Sequence, residues 1–354
     1  MTNIATEDKE LHKDENGFQS PTFTICMQPQ RRPSIYDKYN VTDAFFTAMM
    51  PGSYEHLIHT NKSLSDITAE ASFKLGEDFD LRLGELLNFG SNLKLGTNIN
   101  KIYGQQIIIE ISQLYSQTHG PCYKMSLNAT IHSKHGGYLL SSQIKGENPI
   151  ESMALVITSE NNYMASVIGI WKKLKPIELK IDFGPGLSAL DLQETTTELI
   201  KNCDNEYDNH FHCLSKKIAT HSYENCPRKC VIPNLKAYFE YVNEPYELCT
   251  NVTEDRCIMV EITAHVQEFT GECKMQCKRT EYLGENKRFD TQLGGNDSAF
   301  LALYTSHNSR IVNTEYYVYD APGMIGNIGG CLGLFFGFSF YGAICDILDF
   351  LIKD

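Results

Sequence analysis

One apolar run limits what this chain can fold into more than any other feature. Residues 324–352 read MIGNIGGCLGLFFGFSFYGAICDILDFLI, with few polar interruptions at Asn327, Ser339, Asp346 and Asp349. A helix needs about 20 apolar residues to cross a bilayer, and other apolar stretches, such as 164–171, are too short. The sequence therefore predicts one membrane-spanning helix in contact with lipid, at the C-terminal end.

The rest of the chain is polar and acidic. It has 31 Lys and Arg against 44 Asp and Glu, a net charge of -13, so it lacks the basic surface that binds nucleic acid. Twelve cysteines are typical of an oxidised, extracellular protein. Asn-x-Ser/Thr sequons, which mark expected N-glycosylation sites, begin at Asn40, Asn61, Asn128, Asn251 and Asn296. These features predict a disulfide-bonded, extracellular glycoprotein region.

Periodicity predicts mainly strands ahead of the cysteines. Apolar residues alternate over 123–131, and the chain then turns back through YLLSS, which predicts a hairpin. A second hairpin is expected between ALVITS at 154–159 and YMASVIGIW at 163–171, and a strand over 311–319. Phe79, Leu83, Leu86 and Leu87 fall at helical spacing, which predicts a short amphipathic helix.

Eight of the twelve cysteines lie between positions 203 and 277, a stretch called here the cysteine-rich unit. Helices and loops joined by disulfides are the simplest description of such a stretch. A zinc site at Cys226, Cys230, Cys273 and Cys277, helped by His210 and His212, is the alternative, but zinc knuckles usually have the tighter Cys-x2-Cys spacing. No metal is therefore expected. The expected fold class is an α+β, disulfide-rich extracellular domain followed by one C-terminal transmembrane helix.

Glycines are concentrated in the apolar run. Gly326 and Gly330, like Gly333 and Gly337, are four residues apart, a spacing that permits close helix packing in a bilayer. A simple dimerisation anchor would explain this spacing. Ser339, Asp346 and Asp349 favour a pore instead, because polar groups in a membrane usually face a water path or a partner.

The sequence NIGGCLGLFFGFSF, residues 327–340, resembles the second transmembrane segment of the degenerin/epithelial sodium channel superfamily, which includes the acid-sensing channels. Further stretches resemble the family in the same order along the chain: PTFTIC at 21–26, GPCYKM at 120–125, PGLSALDLQETTTELIKNC at 185–203 and ECKMQCKRTEY at 272–282. The resemblance runs from about residue 21 to residue 352.

This resemblance implies a domain order. It comprises a disordered leader and truncation point at 1–20, a palm and finger region at 21–202, a cysteine-rich thumb at 203–282, a palm strand returning to the membrane at 283–320, the second transmembrane helix at 321–352 and a cytosolic stub at 353–354. The palm and β-ball are expected to be sheets, and the finger and thumb helical. The chain begins where the family's first span ends, so a truncated channel subunit is expected.

The resemblance also implies a function and its residues. The expected protein is a plasma-membrane subunit of a homo- or heterotrimeric, ligand- or stimulus-gated, amiloride-sensitive sodium channel with Na⁺ as permeant ion, no cofactor and no enzyme activity. Its expected pore residues are the selectivity filter Gly337, Phe338 and Ser339, the upper pore residues Gly326, Asn327 and Gly330, the packing glycines Gly329 and Gly333, and the carboxylates Asp346 and Asp349. Phe338 replaces the family's small filter residue, and Cys345 stands where the family has a carboxylate.

The resemblance further implies five disulfides: Cys26–Cys122, Cys203–Cys277, Cys213–Cys273, Cys226–Cys257 and Cys230–Cys249. Lys217 and Gly271 occupy the two positions where the family usually has another thumb bridge. Two other functions stay open at this point. One is a non-conducting accessory or dominant-negative subunit, and the other is a cysteine-rich ligand-binding ectodomain on a membrane anchor.

Overall fold

A computed structural model describes residues 5–13, 17–42, 45–46, 55–58, 62–86, 101–102, 105–106, 109–116, 120–128, 130–131, 137–145, 149–158, 177–200, 202–204, 210–290, 293–307, 309–317, 325–331, 342, 344–345 and 347–348. The chain divides into two units. The smaller comprises Met1–Lys9 with Asn313–Asp354, and the larger is Glu10–Val312.

The described elements are mainly strands. The strands are β1 (Ala5–Lys13), β2 (Phe18–Gln19), β3 (Thr22–Gln28), β4 (Phe79–Leu86), β5 (Lys101–Ile102), β6 (Gln105–Gln106), β7 (Ile109–Ser116), β8 (Gly120–Leu127), β9 (Thr130–Ile131), β10 (Gly137–Ile144), β11 (Ser152–Thr158), β12 (Ile177–Asp182), β13 (Leu187–Glu198), β14 (Lys278–Phe289), β15 (Ser298–Tyr304) and β16 (Ser309–Tyr317). The helices are α1 (Ser34–Tyr39), α2 (Leu64–Ala71), α3 (His210–Asn225), α4 (Pro233–Val242) and α5 (Val252–Glu272), with a 3-10 turn at Glu55–Leu57.

Two sheets enclose the main β core. The first has the order β1-β16-β13-β15-β10-β4, with β14 also paired to β13, and the second has the order β12-β11-β3-β8-β7. Phe23 and Leu155 from the second sheet belong to the same buried cluster as Leu140 and Leu301 from the first. Burying these apolar faces against each other is the main source of stability for such a pair of sheets.

The hairpin predicted over residues 123–142 is wrong. Strand β8 pairs with β3 and β7, whereas β10 pairs with β4 and β15, so the two predicted partners lie in different sheets. Strand β10 is buried along its first four residues and has a partner on both edges. The apolar sequence of such a strand predicts that it is buried, but it does not predict which distant strands pair with it. Strand β8 instead pairs antiparallel with the preceding strand β7.

The helix predicted over residues 79–87 is also wrong, because residues 79–86 form strand β4. Phe79 and Leu83 are four residues apart, which fits a helix, but Phe79, Leu81 and Leu83 also alternate with polar residues, which fits a strand. Pairing with β10 along the whole strand stabilises the extended form. In the second predicted hairpin, β11 pairs with β3 and β12 instead, while 163–171 lies outside the described residues. The strand predicted at 311–319 is confirmed as β16.

The predicted helical character of the cysteine-rich unit is confirmed. Strands β13 and β14 pair antiparallel along their full length, and the chain between Glu198 and Lys278 contains α3, α4 and α5. Helix α4 has Pro233 in its first turn, and α5 begins at the N-cap Asn251, whose side chain accepts a hydrogen bond from Glu254 N at 3.0 Å. Leu214, Ile218 and Met259 belong to a buried cluster that also includes Leu64 and Ile67 of α2.

Candidate functional site

Five disulfides connect the described elements. They are Cys26–Cys122, Cys203–Cys277, Cys213–Cys273, Cys226–Cys257 and Cys230–Cys249, the same pairs that the resemblance implies. Four of them lie in the cysteine-rich unit, where each contributes about 2 to 4 kcal/mol to stability by restricting the unfolded chain. Because their sulfurs are bonded to one another, these cysteines are not thiolate ligands, and the zinc alternative for them is wrong.

The base of the cysteine-rich unit is closed where it meets β13 and β14. Cys203–Cys277 links the two chain segments just beyond the ends of these strands. Leu199 N donates to Cys277 O at 2.6 Å, and Asp204 N donates to Met275 O at 2.9 Å. One disulfide and two backbone hydrogen bonds thus join the base of the cysteine-rich unit to the ends of β13 and β14.

Inside the cysteine-rich unit, an ion pair lies where the resemblance would place a further bridge. Lys217 Nζ on α3 lies 2.7 Å from Glu272 Oε2 at the end of α5, beside Gly271. Both side chains are partly exposed, so the pair contributes less than about 1 kcal/mol. It connects the same two helices that a disulfide between positions 217 and 271 would join.

A buried carboxyl group connects the cysteine-rich unit to α2. Asp255 in the first turn of α5 is fully buried, and its Oδ2 accepts a hydrogen bond from Leu64 N at 2.6 Å. Burial raises the pKa of this carboxyl to about 7, with smaller contributions from Glu254 and Asp66, although the Leu64 hydrogen bond opposes the shift. Asp255 therefore titrates close to neutral pH. Its position in the run VTEDRCIMV gives no sign of this burial, which depends on the packing of α2 against it.

A buried arginine lies just after the end of β3. Arg31 is fully buried, and its Nη2 donates to Tyr115 Oη at 3.0 Å while its Nη1 donates to Gln30 Oε1 at 3.0 Å. Its guanidinium carbon lies 4.0 Å from the centre of the Phe46 ring. Sequence reasoning missed this residue, because Arg31 and Tyr115 are 84 positions apart. The contact joins the segment after β3 to β7 and residues 45–46.

The glycine-rich segment is described only in part. Residues 325–331 are helical and exposed, and a Cβ atom placed on Gly326, Gly329 or Gly330 would have no neighbouring atom within 4 Å outside the local helix backbone. Ile325 and Ile328 are 67% and 49% exposed. Asn327 lies on the same exposed stretch. Among the described residues, no helix has both the length and the apolar character needed to cross a bilayer.

The remaining predicted pore residues lie outside the described part of the chain. These are the filter residues Gly337, Phe338 and Ser339, the packing residue Gly333 and the carboxylates Asp346 and Asp349. Of the predicted glycosylation sites, Asn40, Asn128 and Asn296 are exposed and Asn251 is half-buried, whereas Asn61 is not described.

Comparison with known proteins identifies the family. Residues 175–350 match the family model described as amiloride-sensitive sodium channel. No curated protein sequence matches the chain. Among solved structures, the chain is similar to a proton-activated chloride channel determined by cryo-electron microscopy, with a TM-score of 0.36 and 6% identity over 99% of this chain and 87% of the channel chain. A TM-score of this size does not establish a shared fold.

The matched residues begin just before β12, include the whole cysteine-rich unit and the strands β13 to β16, and extend through the glycine-rich segment. The family match thus includes both the disulfide-linked helices and the predicted pore residues. Residues 175–350 therefore belong to the amiloride-sensitive sodium channel family.

Proposed function

We propose that this protein is a subunit of a trimeric, amiloride-sensitive channel that conducts Na⁺ across the plasma membrane. The observation that carries the proposal is the continuous family match from residue 175 to residue 350, which joins the cysteine-rich unit to the glycine-rich segment. In this proposal most of the chain is extracellular, residues 324–352 form the pore helix, and three such helices from identical or related subunits surround the ion path.

The exposed surface of residues 325–331 supports packing of this helix against lipid or against the helix of a neighbouring subunit. Gly326 and Gly330 leave room for a second helix to approach closely. Ile325 and Ile328 expose apolar side chains that lipid or a neighbouring subunit would cover. Three helices packed through their glycines would leave a narrow path, lined at its upper end by Gly326, Asn327 and Gly330.

The proposed filter comprises Gly337, Phe338 and Ser339. Carbonyl groups and a hydroxyl group at such a position replace the water around a cation that enters a narrow pore. Asp346 and Asp349 would place negative charge near the inner end and favour cations over anions. The bulk of Phe338 is expected to make this filter narrower than one with a small middle residue.

Gating is assigned to the cysteine-rich unit. Its helices are cross-linked to one another by disulfides and joined at their base to β13 and β14 by Cys203–Cys277. A stimulus that moves these helices would shift the two strands as a body. Such a coupled displacement is a two-state element of the kind that opens and closes channels.

The test is electrical. The protein is expressed in a heterologous cell as its natural transcript encodes it, surface exposure is checked by labelling, and the whole-cell current is recorded. The expected result is an inward current that disappears when Na⁺ is replaced by a large organic cation and is blocked by amiloride. Surface-exposed protein without such a current, alone or with related subunits, would instead favour a non-conducting subunit.

A further inference from the structure

A cluster of metal-ligating side chains lies between α3 and α5 of the cysteine-rich unit. It comprises His221 on α3 and Glu261 and His265 on α5, with one candidate ligand atom from each within 4.8 Å of the others. Glu261 and His265 are four positions apart, so they project from the same face of their helix. His221 faces them from the neighbouring helix.

The distances suit a small tetrahedral ion. His221 Nε2 lies 2.9 Å from Glu261 Oε2, and His265 Nε2 lies 3.8 Å from the same oxygen. Ligands held about 2.0 to 2.1 Å from a tetrahedral zinc ion are about 3.3 Å apart. The two observed distances lie on either side of this value. Small rotations of the side chains would therefore bring the three atoms onto one ion.

A second carboxylate orients one of the histidines. His265 Nδ1 lies 3.3 Å from Glu268 Oε2, one turn further along α5. If Nδ1–H donates to this carboxylate, Nε2 presents its lone pair toward Glu261. A carboxylate behind a histidine in this way is the usual partner of a zinc-binding imidazole. The ring of Phe269 lies 5.4 Å from His221 and 5.8 Å from His265, centre to centre, and covers one side of the pair.

The cluster is also accessible. The side chains of His221, Glu261 and His265 are 27%, 25% and 35% exposed, and Glu261 lines an open cavity of about 750 Å³. A hydrated ion can thus reach the cluster and keep water as its fourth ligand. Two imidazoles and one carboxylate are a ligand set that zinc favours and that Ca²⁺ and Mg²⁺, which prefer oxygen ligands, do not.

We propose that His221, Glu261 and His265 form a binding site for Zn²⁺ that joins α3 to α5. The site lies between the two disulfides that already connect these helices, Cys213–Cys273 and Cys226–Cys257. Bound Zn²⁺ adds a third, reversible connection between them. The helical unit is then more rigid with the ion than without it, and this effect does not depend on ion conduction.

Zinc binding to the full chain tests the site. The protein is purified in detergent with its disulfides intact, treated with a chelator, freed of the chelator and equilibrated with Zn²⁺ alone at neutral pH. We expect one tightly bound Zn²⁺ per chain. Glu268→Gln, which removes the carboxylate that holds His265, should raise the dissociation constant roughly 10- to 100-fold. His221→Ala and His265→Ala, which each remove a ligand, should raise it by more than this.

Controls separate the site from general effects. His307 is an exposed histidine outside the cysteine-rich unit, so His307→Ala should leave zinc affinity unchanged. Mass spectrometry of the five disulfides reports whether each variant has folded. Zn²⁺ should raise the melting temperature of the wild-type chain but not that of the doubly substituted H221A/H265A chain, because only a site present in the folded state stabilises it. Equal zinc binding by wild type and this double variant would overturn the proposal.

Discussion

The carboxylate of Asp255 accepts a hydrogen bond from the backbone N–H of Leu64 at 2.6 Å, which joins the first turn of α5 to the start of α2. The two residues are 191 positions apart. The other carboxylate oxygen, Oδ1, is buried and has no hydrogen-bond partner among the described residues. The ionised form of Asp255 is therefore poorly compensated in the folded state.

This burial predicts a stability that falls with rising pH. The pKa of Asp255 is raised from 3.8 to about 7 on folding, so the folded chain retains a proton between these values that the unfolded chain has lost. The stabilisation that protonated Asp255 gives the folded state is fully present below about pH 4 and is lost as the pH rises through about 7. Between pH 5 and pH 8 the resulting loss of unfolding free energy is about 2 to 3 kcal/mol.

Asp255→Asn removes this titration and keeps an oxygen for the Leu64 hydrogen bond. Between pH 5 and pH 8, we expect the unfolding free energy of the wild type to fall by about 2 to 3 kcal/mol more than that of Asp255→Asn. Denaturation at both pH values measures the difference. Glu247→Gln, at a side chain that is 79% exposed, should follow the wild type. Parallel curves for wild type and Asp255→Asn would contradict the assignment.

Gly137 is expected to tolerate no side chain. It begins β10, and a Cβ atom placed on it would overlap the carbonyl oxygen of Leu303 on β15. Gly137→Ala must therefore separate β10 from β15, and we expect a loss of about 1 to 3 kcal/mol or more. Chemical denaturation measures this loss.

The matched control for Gly137 is the same substitution in a helix. Gly271 lies in the last turn of α5, where a Cβ atom would meet no other atom within 4 Å. Gly271→Ala should be neutral or stabilise the protein by up to about 1 kcal/mol, because glycine is unfavourable inside a helix. If both substitutions change stability equally, the pairing of β10 with β15 is wrong.

Arg31 is expected to resist replacement by lysine. The planar guanidinium contacts the face of Phe46 and donates to both Tyr115 and Gln30. Lysine keeps the charge but has neither the plane nor the forked donors, so a buried ammonium would lose part of its compensation. Arg31→Lys should lower the unfolding free energy by about 1 to 3 kcal/mol. The control is the reverse substitution at an exposed position, Lys229→Arg, which should leave the unfolding free energy unchanged.

The positions of the family's further bridge can be tested directly. Lys217 and Glu272 already bring α3 and α5 together beside Gly271. The double substitution of Lys217→Cys with Gly271→Cys is expected to form a disulfide that adds up to about 2 to 4 kcal/mol. Mass spectrometry of the unreduced protein detects the bond. Free thiols at both introduced cysteines of the folded double variant, in addition to those of Cys331 and Cys345, would show that the helices are not aligned as the family pattern implies.

Sequence patterns predicted the helical unit and β16 because these elements have local signals. Cysteine density marked residues 203–277, and the alternation before the apolar run marked the strand. Local patterns failed where pairing is decided at a distance. Phe79 and Leu83 fit a helix and a strand equally well, and β10 takes both partners from distant segments.

The same limit applies to the candidate sites. The glycine spacing around Gly326 is visible in the sequence. The i,i+4 pair of Glu261 and His265 is visible too, but His221 completes the cluster from 40 positions away. Neither Asp255 nor Arg31 has a local signal, since the burial of each depends on elements far along the chain. Family resemblance added what local patterns lacked, namely which cysteines pair.

The most direct test of the channel proposal is the current carried by Gly326→Phe, compared with wild type at equal surface exposure. If Gly326 packs against neighbouring pore helices, a phenyl ring there forces the helices apart, and we predict a larger amiloride-sensitive Na⁺ current without added stimulus. Asp290→Phe, at an exposed position outside the cysteine-rich unit, should carry the wild-type current. A Gly326→Phe current equal to that of wild type would contradict the assignment of this segment to a channel pore.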